Sequence, residues 1–258
     1  MPEVQSANAS IYYEVHGEGP AVVLAHGAGG NHLSWWQQVP VFAKRYRVVA
    51  IDHRGFGRST CQEFHPRYFV EDLEAVLAQE GIERVALVCQ SMGGWTGLPF
   101  ALRHPERVAG LVLACTPGGY VNDDVIASGA ALGKRIAAAG IDHTPALGAR
   151  FVKRHPELRF LYDEIGGLNH AIGLDAVSKL FDPEVRLSAA DLQGLRAPIL
   201  MLTGSDDLLF PPEMMRSVAS EIPGARLEEV SDAGHSIYFE QPELFNRRVD
   251  DFLASHAG

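Results

Sequence analysis

Apolar residues along this chain recur in two rhythms. Continuous runs in "PAVVLAHG" (20–27), "YRVVAIDHRG" (46–55), "RVALVCQS" (84–91), "VAGLVLACTPGG" (108–119) and "APILMLTGSDD" (197–207) have the length and β-branched content of strands buried on both faces. "ARLEEVSDAGH" (225–235) predicts a further strand, and "SIYYEVHG" (10–17) alternates as an edge strand does. Between them, helical spacing predicts helices over Trp35–Ala43, Phe69–Gln79, Trp95–His104 and Pro242–Ala254. Strand and helix alternate, which predicts an α/β fold: a mostly parallel central sheet flanked by helices. From Tyr120 to Leu195 the rhythm changes to alanine- and leucine-rich helical stretches broken at Pro145, Pro156 and Pro183. Residues 1–119 and 196–258 are therefore expected to form the core, and 120–195 a helical insertion, within one structural domain.

Composition narrows the class of partner. A chain of 258 residues with 47% hydrophobic content buries a full core. With 22 basic against 32 acidic residues the net charge is -10, which disfavours nucleic acid and anionic membranes and points to a small-molecule partner. Cys61, Cys89 and Cys115 have no metal-ligand spacing and are expected to be reduced thiols. "MPEVQSANAS" is no secretory leader and no apolar run approaches a membrane span, so the expected location is cytoplasmic.

The chemistry centres on "LVCQSMGGWTG" (87–97), which places Ser91 on a turn between a buried strand and a helix. Such a turn projects a hydroxyl at the carboxyl edge of the sheet, provided the positions two before and two after are small; here they are Cys89 and Gly93. The competing explanation is a serine that only caps the helix. Among 11 histidines, His235 stands apart, following "VSDAG" in the loop after the last strand. A carboxylate that orients its ring is available at Asp206 or Asp207, and either reaches. The expected oxyanion donors are the backbone N–H groups of Met92 and of "HGAGG", with Ala28 first and Gly29 second.

These residues closely resemble the α/β-hydrolase superfamily, in particular small bacterial esterases, enol-lactonases and related cofactor-free hydrolases. "LAHGAGG" is similar to the family's His-Gly oxyanion turn, "DHRGFGRS" (52–59) to its D-x-R-G-x-G-x-S segment, and "CQSMGG" to its nucleophile elbow, with Cys89 departing from G-x-S-x-G. "GSDD" resembles the G-x-x-D acid loop, so the resemblance selects Asp207, and "DAGHSIYFEQPELF" resembles the histidine loop and final helix. What this implies is a catalytic set of Ser91, Asp207 and His235, no metal or organic cofactor, a carboxylic ester or lactone as substrate, and a cap over 120–195. Asp52 and Arg54 are read as structural. Gly27, Gly29, Trp35, Trp95, Tyr120 and Phe210 are the candidate pocket, with Trp36 and Phe56 as further apolar candidates, although rings beside strand ends serve cores more often than ligands. Asn169 and His170 of the insertion are not assigned to the site. The alternatives are a carbon-carbon bond hydrolase of vinylogous diketones, a cofactor-free perhydrolase or haloperoxidase-like activity, and a ligand-binding member without turnover.

Overall fold

The computed structural model describes residues 2–169 and 177–256; His170 lies outside them. The strands are β1 (Glu3–Ser6), β2 (Ala9–His16), β3 (Ala21–Ala25), β4 (Arg47–Ile51), β5 (Thr60–Cys61), β6 (Val85–Gln90), β7 (Val108–Ala114), β8 (Ile199–Gly204) and β9 (Ala225–Val230). They form one sheet in the order β1-β2-β4-β3-β6-β7-β8-β9, with β5 added to β2. From β4 to β9 every pairing is parallel, and β2 joins β4 antiparallel.

Successive side chains of a strand face opposite ways, and β6 shows what that does to a fully apolar run. Val85, Leu87 and Cys89 enter one core layer, while Ala86 and Val88 enter the other. Helices cover both: α2 (Phe69–Gln79), α3 (Gly94–Arg103) and α7 (Pro212–Glu221) on the first face, α1 (Val39–Phe42) and α9 (Pro242–His256) on the second. The buried Phe69, Val70, Leu73, Val76 and Leu77 of α2 recur at helical spacing, which is why that element was legible in sequence. Among the described residues no helix is long and apolar enough to cross a membrane.

Two expectations change. "SIYYEVHG" is not an edge strand: β1 and β5 pair with β2, and β1 takes the outer place. Trp35–Ala43 is not one helix but a 3-10 turn over His32–Trp35, capped by Asn31, followed by the four-residue α1. Tertiary contacts override propensity there: Trp35 is buried against Tyr238, and Gln38 Nε2 donates to the Tyr238 carbonyl at 2.9 Å.

Between β7 and β8 the chain runs through α4 (Asp123–Ala139), α5 (Ala149–Arg154), α6 (Pro156–Gly167) and short 3-10 turns. Its base is closed by the Leu187 N–H donating to Gly119 O and the Val121 N–H donating to Leu187 O. The last short helix, α8 (Ile237–Glu240), leads from the His235 loop into α9.

Candidate active site

The carboxyl ends of the parallel strands bring four loops to one rim: 26–30 after β3, Ser91 after β6, Cys115 after β7 and Asp207 after β8, with His235 following β9. Ser91 has φ +49, a left-handed conformation that costs a non-glycine residue roughly 1–3 kcal/mol and collects at functional turns. An N-cap needs extended backbone, so this φ removes the capping explanation. The turn is as crowded as the sequence required. A Cβ on Gly93 would collide with the Ala25 carbonyl oxygen, and one on Gly97 with Cys89 Sγ. Cys89 fits in place of the usual glycine because α3 presents a glycine opposite its sulfur. Met92, buried at the first turn of the helix, has an N–H with no intrahelical acceptor.

Asp207 and His235 are buried and joined, Nδ1 to Oδ2, at 2.9 Å. The other carboxylate oxygen accepts the N–H groups of Leu209 (2.8 Å) and Phe210 (3.0 Å), which fixes its plane. Asp206 goes elsewhere: Arg150 of α5 forks its carboxylate at 2.7 and 3.0 Å and also pairs with Asp232. His235 Nε2 is buried and has no hydrogen-bond partner among the described residues, so the Ser91 hydroxyl does not bond to it here. Links of this kind commonly close only when substrate is bound. Gln90, the residue before Ser91, donates from Nε2 to the His235 carbonyl at 3.2 Å and thereby ties the two loops.

In the turn after β3, the Gly30 N–H donates to Gly27 O at 3.0 Å, and Gly29 takes φ +83 between them. His26 supports it from below. Its Nδ1–H donates to Gly27 O at 2.7 Å and its Nε2 accepts the His53 N–H at 3.0 Å, a division of roles that only the neutral ring satisfies. Burial accordingly holds His26 below its ordinary value. Gly27 itself lies against the Ser91 turn, since a Cβ there would sit 2.9 Å from Ser91 Cβ. Asp52 accepts the Arg58 N–H at 2.8 Å and the His32 ring at 2.9 Å, and Arg54 forks Asp72 at 2.6 and 2.8 Å in the interior.

The pocket candidates separate. Trp95 and Phe210 face each other with ring centroids 6.5 Å apart, and Phe210 lies 5.6 Å from the His235 ring; Phe56 and Met92 belong to the same apolar cluster. Trp35 and Tyr120 are drawn away into the core. Trp35 stacks on Tyr238 at 4.8 Å, and the buried Tyr120 donates its hydroxyl to Glu221 at 2.6 Å. Trp36 is 41% exposed on the outside of the 32–35 turn.

Sequence reasoning missed two buried neighbours of the histidine. Cys115, at φ +50, places its thiol within 4.8 Å of the ligand-type atoms of Asp207 and His235, and burial together with the Asp207 charge pushes that thiol well above its ordinary range. Glu240, only 8% exposed, accepts the N–H groups of Gly234 (2.9 Å) and Gly148 (3.2 Å). Burial raises its pKa from 4.5 to about 7. The folded protein therefore keeps this proton up to about pH 7, whereas the unfolded chain releases it near 4.5. The contribution to stability is full below pH 4.5 and is lost as pH rises to about 7. Glu240→Gln should abolish this dependence, and urea unfolding at several pH values should show wild type losing roughly 3 kcal/mol relative to the variant over that interval.

Among the described residues, two side-chain clusters have metal-type donors within 4.8 Å of one another, Cys115–Asp207–His235 and His65–Asp182–Glu184. Neither suits a cation. In the first, His235 Nδ1 is committed to Asp207 Oδ2 and the other carboxylate oxygen to the Leu209 and Phe210 N–H groups. In the second, His65 Nδ1 accepts the Arg67 N–H at 3.2 Å, which leaves the ring proton on Nε2, facing Asp182 at 3.2 Å and Glu184 at 2.8 Å.

The profile of the family described as alpha/beta hydrolase fold matches residues 20–165 and 160–242. The chain is 31% identical over 269 residues to the candidate carbamate hydrolase RutD of Caulobacter sp. (strain K31), covering 96% of this chain and 97% of that protein. Among solved structures it resembles Est816, described as an N-acyl homoserine lactone degrading enzyme (26% identity, TM-score 0.78, 97% of this chain and 100% of that one). A thermophilic esterase from Thermogutta terrifontis is similarly close (25%, TM-score 0.79, 98% of each chain). The parallel sheet, the strained serine turn at the end of β6 and these full-length matches agree: the chain belongs to the α/β-hydrolase family, among its esterase- and lactonase-like hydrolases.

Proposed function

We propose that the protein is a serine hydrolase that cleaves a carboxylic ester or lactone through an acyl-enzyme. The observation that carries this reading is the buried Asp207–His235 bond of 2.9 Å on the same rim as a serine held at φ +49. Ser91 Oγ attacks the carbonyl carbon while His235 Nε2 takes its proton; the N–H groups of Met92 and Ala28 hold the oxyanion; His235 returns the proton to the departing alkoxide. Water then enters by the same route, giving up a proton to His235 and releasing the acid as Ser91 regains its hydrogen. Asp207 keeps the ring in the tautomer that accepts at Nε2 throughout. Trp95 and Phe210 form an apolar wall beside His235, which suits an acyl or alcohol group without charge. Residues 120–195 act as the cap of this pocket, in a protein placed in the cytosol.

Carbamates are the second reading, favoured by the 31% identity to the candidate carbamate hydrolase, since the same acyl transfer applies with nitrogen on the carbonyl. Carbon-carbon bond cleavage is less favoured: Ser236 follows His235 where such enzymes often carry tryptophan, and its hydroxyl is bonded to Tyr162 at 3.0 Å. A panel of aryl esters, five- and six-membered lactones, an aryl carbamate and a dienoate ring-fission product, run on pure protein with a fluorophosphonate label, tests the assignment. Ester or lactone turnover with the label on Ser91 is the expected outcome. Turnover of the dienoate alone, or no label, overturns it.

A further inference from the structure

Asn169 reaches out of the insertion, just beyond α6, to two loops of the rim at once. Its Nδ2–H donates to Gly29 O at 2.8 Å, and its Oδ1 accepts the Gly57 N–H at 2.7 Å and Asn31 Nδ2–H at 3.3 Å. The partners fix the amide: reversed, Nδ2 would face a backbone N–H and Oδ1 a backbone carbonyl, so one orientation alone is satisfied. Asn31, itself buried, donates to Ile165 O of α6 at 2.9 Å and so braces the same end of the helix. Gly166 brings α6 close enough that a Cβ there would stand 3.4 Å from Gly29 O.

The peptide held in this way is the one least able to hold itself. Gly29 is exposed, has φ +83, and a Cβ placed on it would meet nothing within 4 Å. Glycine has wide backbone freedom, so two in succession at 29 and 30 leave the turn free to rotate its peptide planes. The peptide between them is pinned on both edges, its N–H by Gly27 O and its C=O by Asn169. The Ala28 N–H shares its peptide plane with Gly27 O, so turning it away from the nucleophile breaks the Gly30 N–H bond to Gly27 O, and the Asn169 bond, by fixing the 29–30 peptide, holds that donor in place.

The geometry points to Asn169 as a positioning residue that holds the 27–30 turn in the conformation that directs the Ala28 N–H at the developing oxyanion, making that donor dependent on the docking of α6. This inference rests on the serine-hydrolase reading above. Preorganised donors act in the transition state more than in the ground state, so the loss is read in turnover.

The test uses the full-length protein with Asn169→Asp, which keeps an acceptor for Gly57 and Asn31 but loses the donor to Gly29, and Asn169→Ala, which adds no charge should the carboxylate impair folding. Measured against wild type are kcat and KM for an aryl ester, the inhibition constant of a trifluoromethyl ketone that forms an oxyanion on Ser91, and the thermal midpoint. Expected for either variant is a fall of about 10- to 100-fold in kcat, a matching rise in the inhibition constant, and KM within about threefold. A lowered thermal midpoint with unchanged kcat and inhibition constant overturns the proposal, because a merely structural contact behaves that way. A raised KM alone also overturns it, marking Asn169 as a substrate contact. Wild type that takes no fluorophosphonate on Ser91 sinks the parent reading and this inference together, whereas labelled wild type with unaltered variants sinks this inference alone.

Discussion

Ser91→Ala is expected to lower kcat for an aryl ester by about 10⁵- to 10⁶-fold, leaving only what oriented binding and the oxyanion donors supply over water. The size follows from the mechanism: without Oγ there is no acyl-enzyme, and a water in its place lacks the fixed geometry of a side chain at φ +49. Stability should change little, since alanine retains the Cβ beside Gly27 and the turn keeps its strain. Single-turnover assays on pure protein, with active-site titration to exclude traces of wild type, give the measurement. Near-wild-type hydrolysis by the variant would remove Ser91 from the chemistry.

Asp207→Asn should cost about 10⁴-fold in kcat, while Asp206→Asn stays within a few-fold of wild type. The distinction lies in the acceptors. Asparagine at 207 must keep its oxygen toward the Leu209 and Phe210 N–H groups, so its NH₂ faces His235 Nδ1. The ring must then carry its proton on Nε2 and is unable to take one from Ser91. Asp206 is paired with Arg150, whose side chain is 59% exposed, and a solvent-exposed pair of that kind contributes about 0–1 kcal/mol. Equal losses in the two variants, read as kcat at fixed pH, would contradict the assignment of the acid.

Much of this was legible because it is local. A run such as "VALVCQ" specifies a strand buried on both faces whatever surrounds it, and the small residues around Ser91 announce a tight turn. His235 was visible for the same reason, as a histidine in a loop at the sheet edge. Adjacent carboxylates were not separable from the residues alone, because the two point to different neighbours only once α5 brings Arg150 alongside. The packing of Trp35 and Tyr120 into the core was not legible for a related reason. A ring near a strand end turns toward core or cleft according to what packs on it, and here α9 and Glu221 decide. The places of Cys115 and Glu240 were hidden, and Asn169 was left unassigned, because Cys115 lies 92 positions from Asp207, Glu240 bonds the glycine N–H groups 6 and 92 positions away, and Asn169 bonds Gly29 and Gly57 more than 100 positions away, glycines having no side chain to signal the contact.

The contact between Cys89 and Gly97 constrains how this chain can change. Enlarging residue 97 while a sulfur occupies 89 forces an overlap inside a close-packed layer, whereas shrinking residue 89 first leaves only the end of the Leu111 side chain, 2.9 Å away, to give way. One order of substitution passes through a viable intermediate and the other through a damaged one. While position 97 stays bare, residue 89 passes between cysteine and glycine freely, and once 97 carries a side chain cysteine at 89 is shut out.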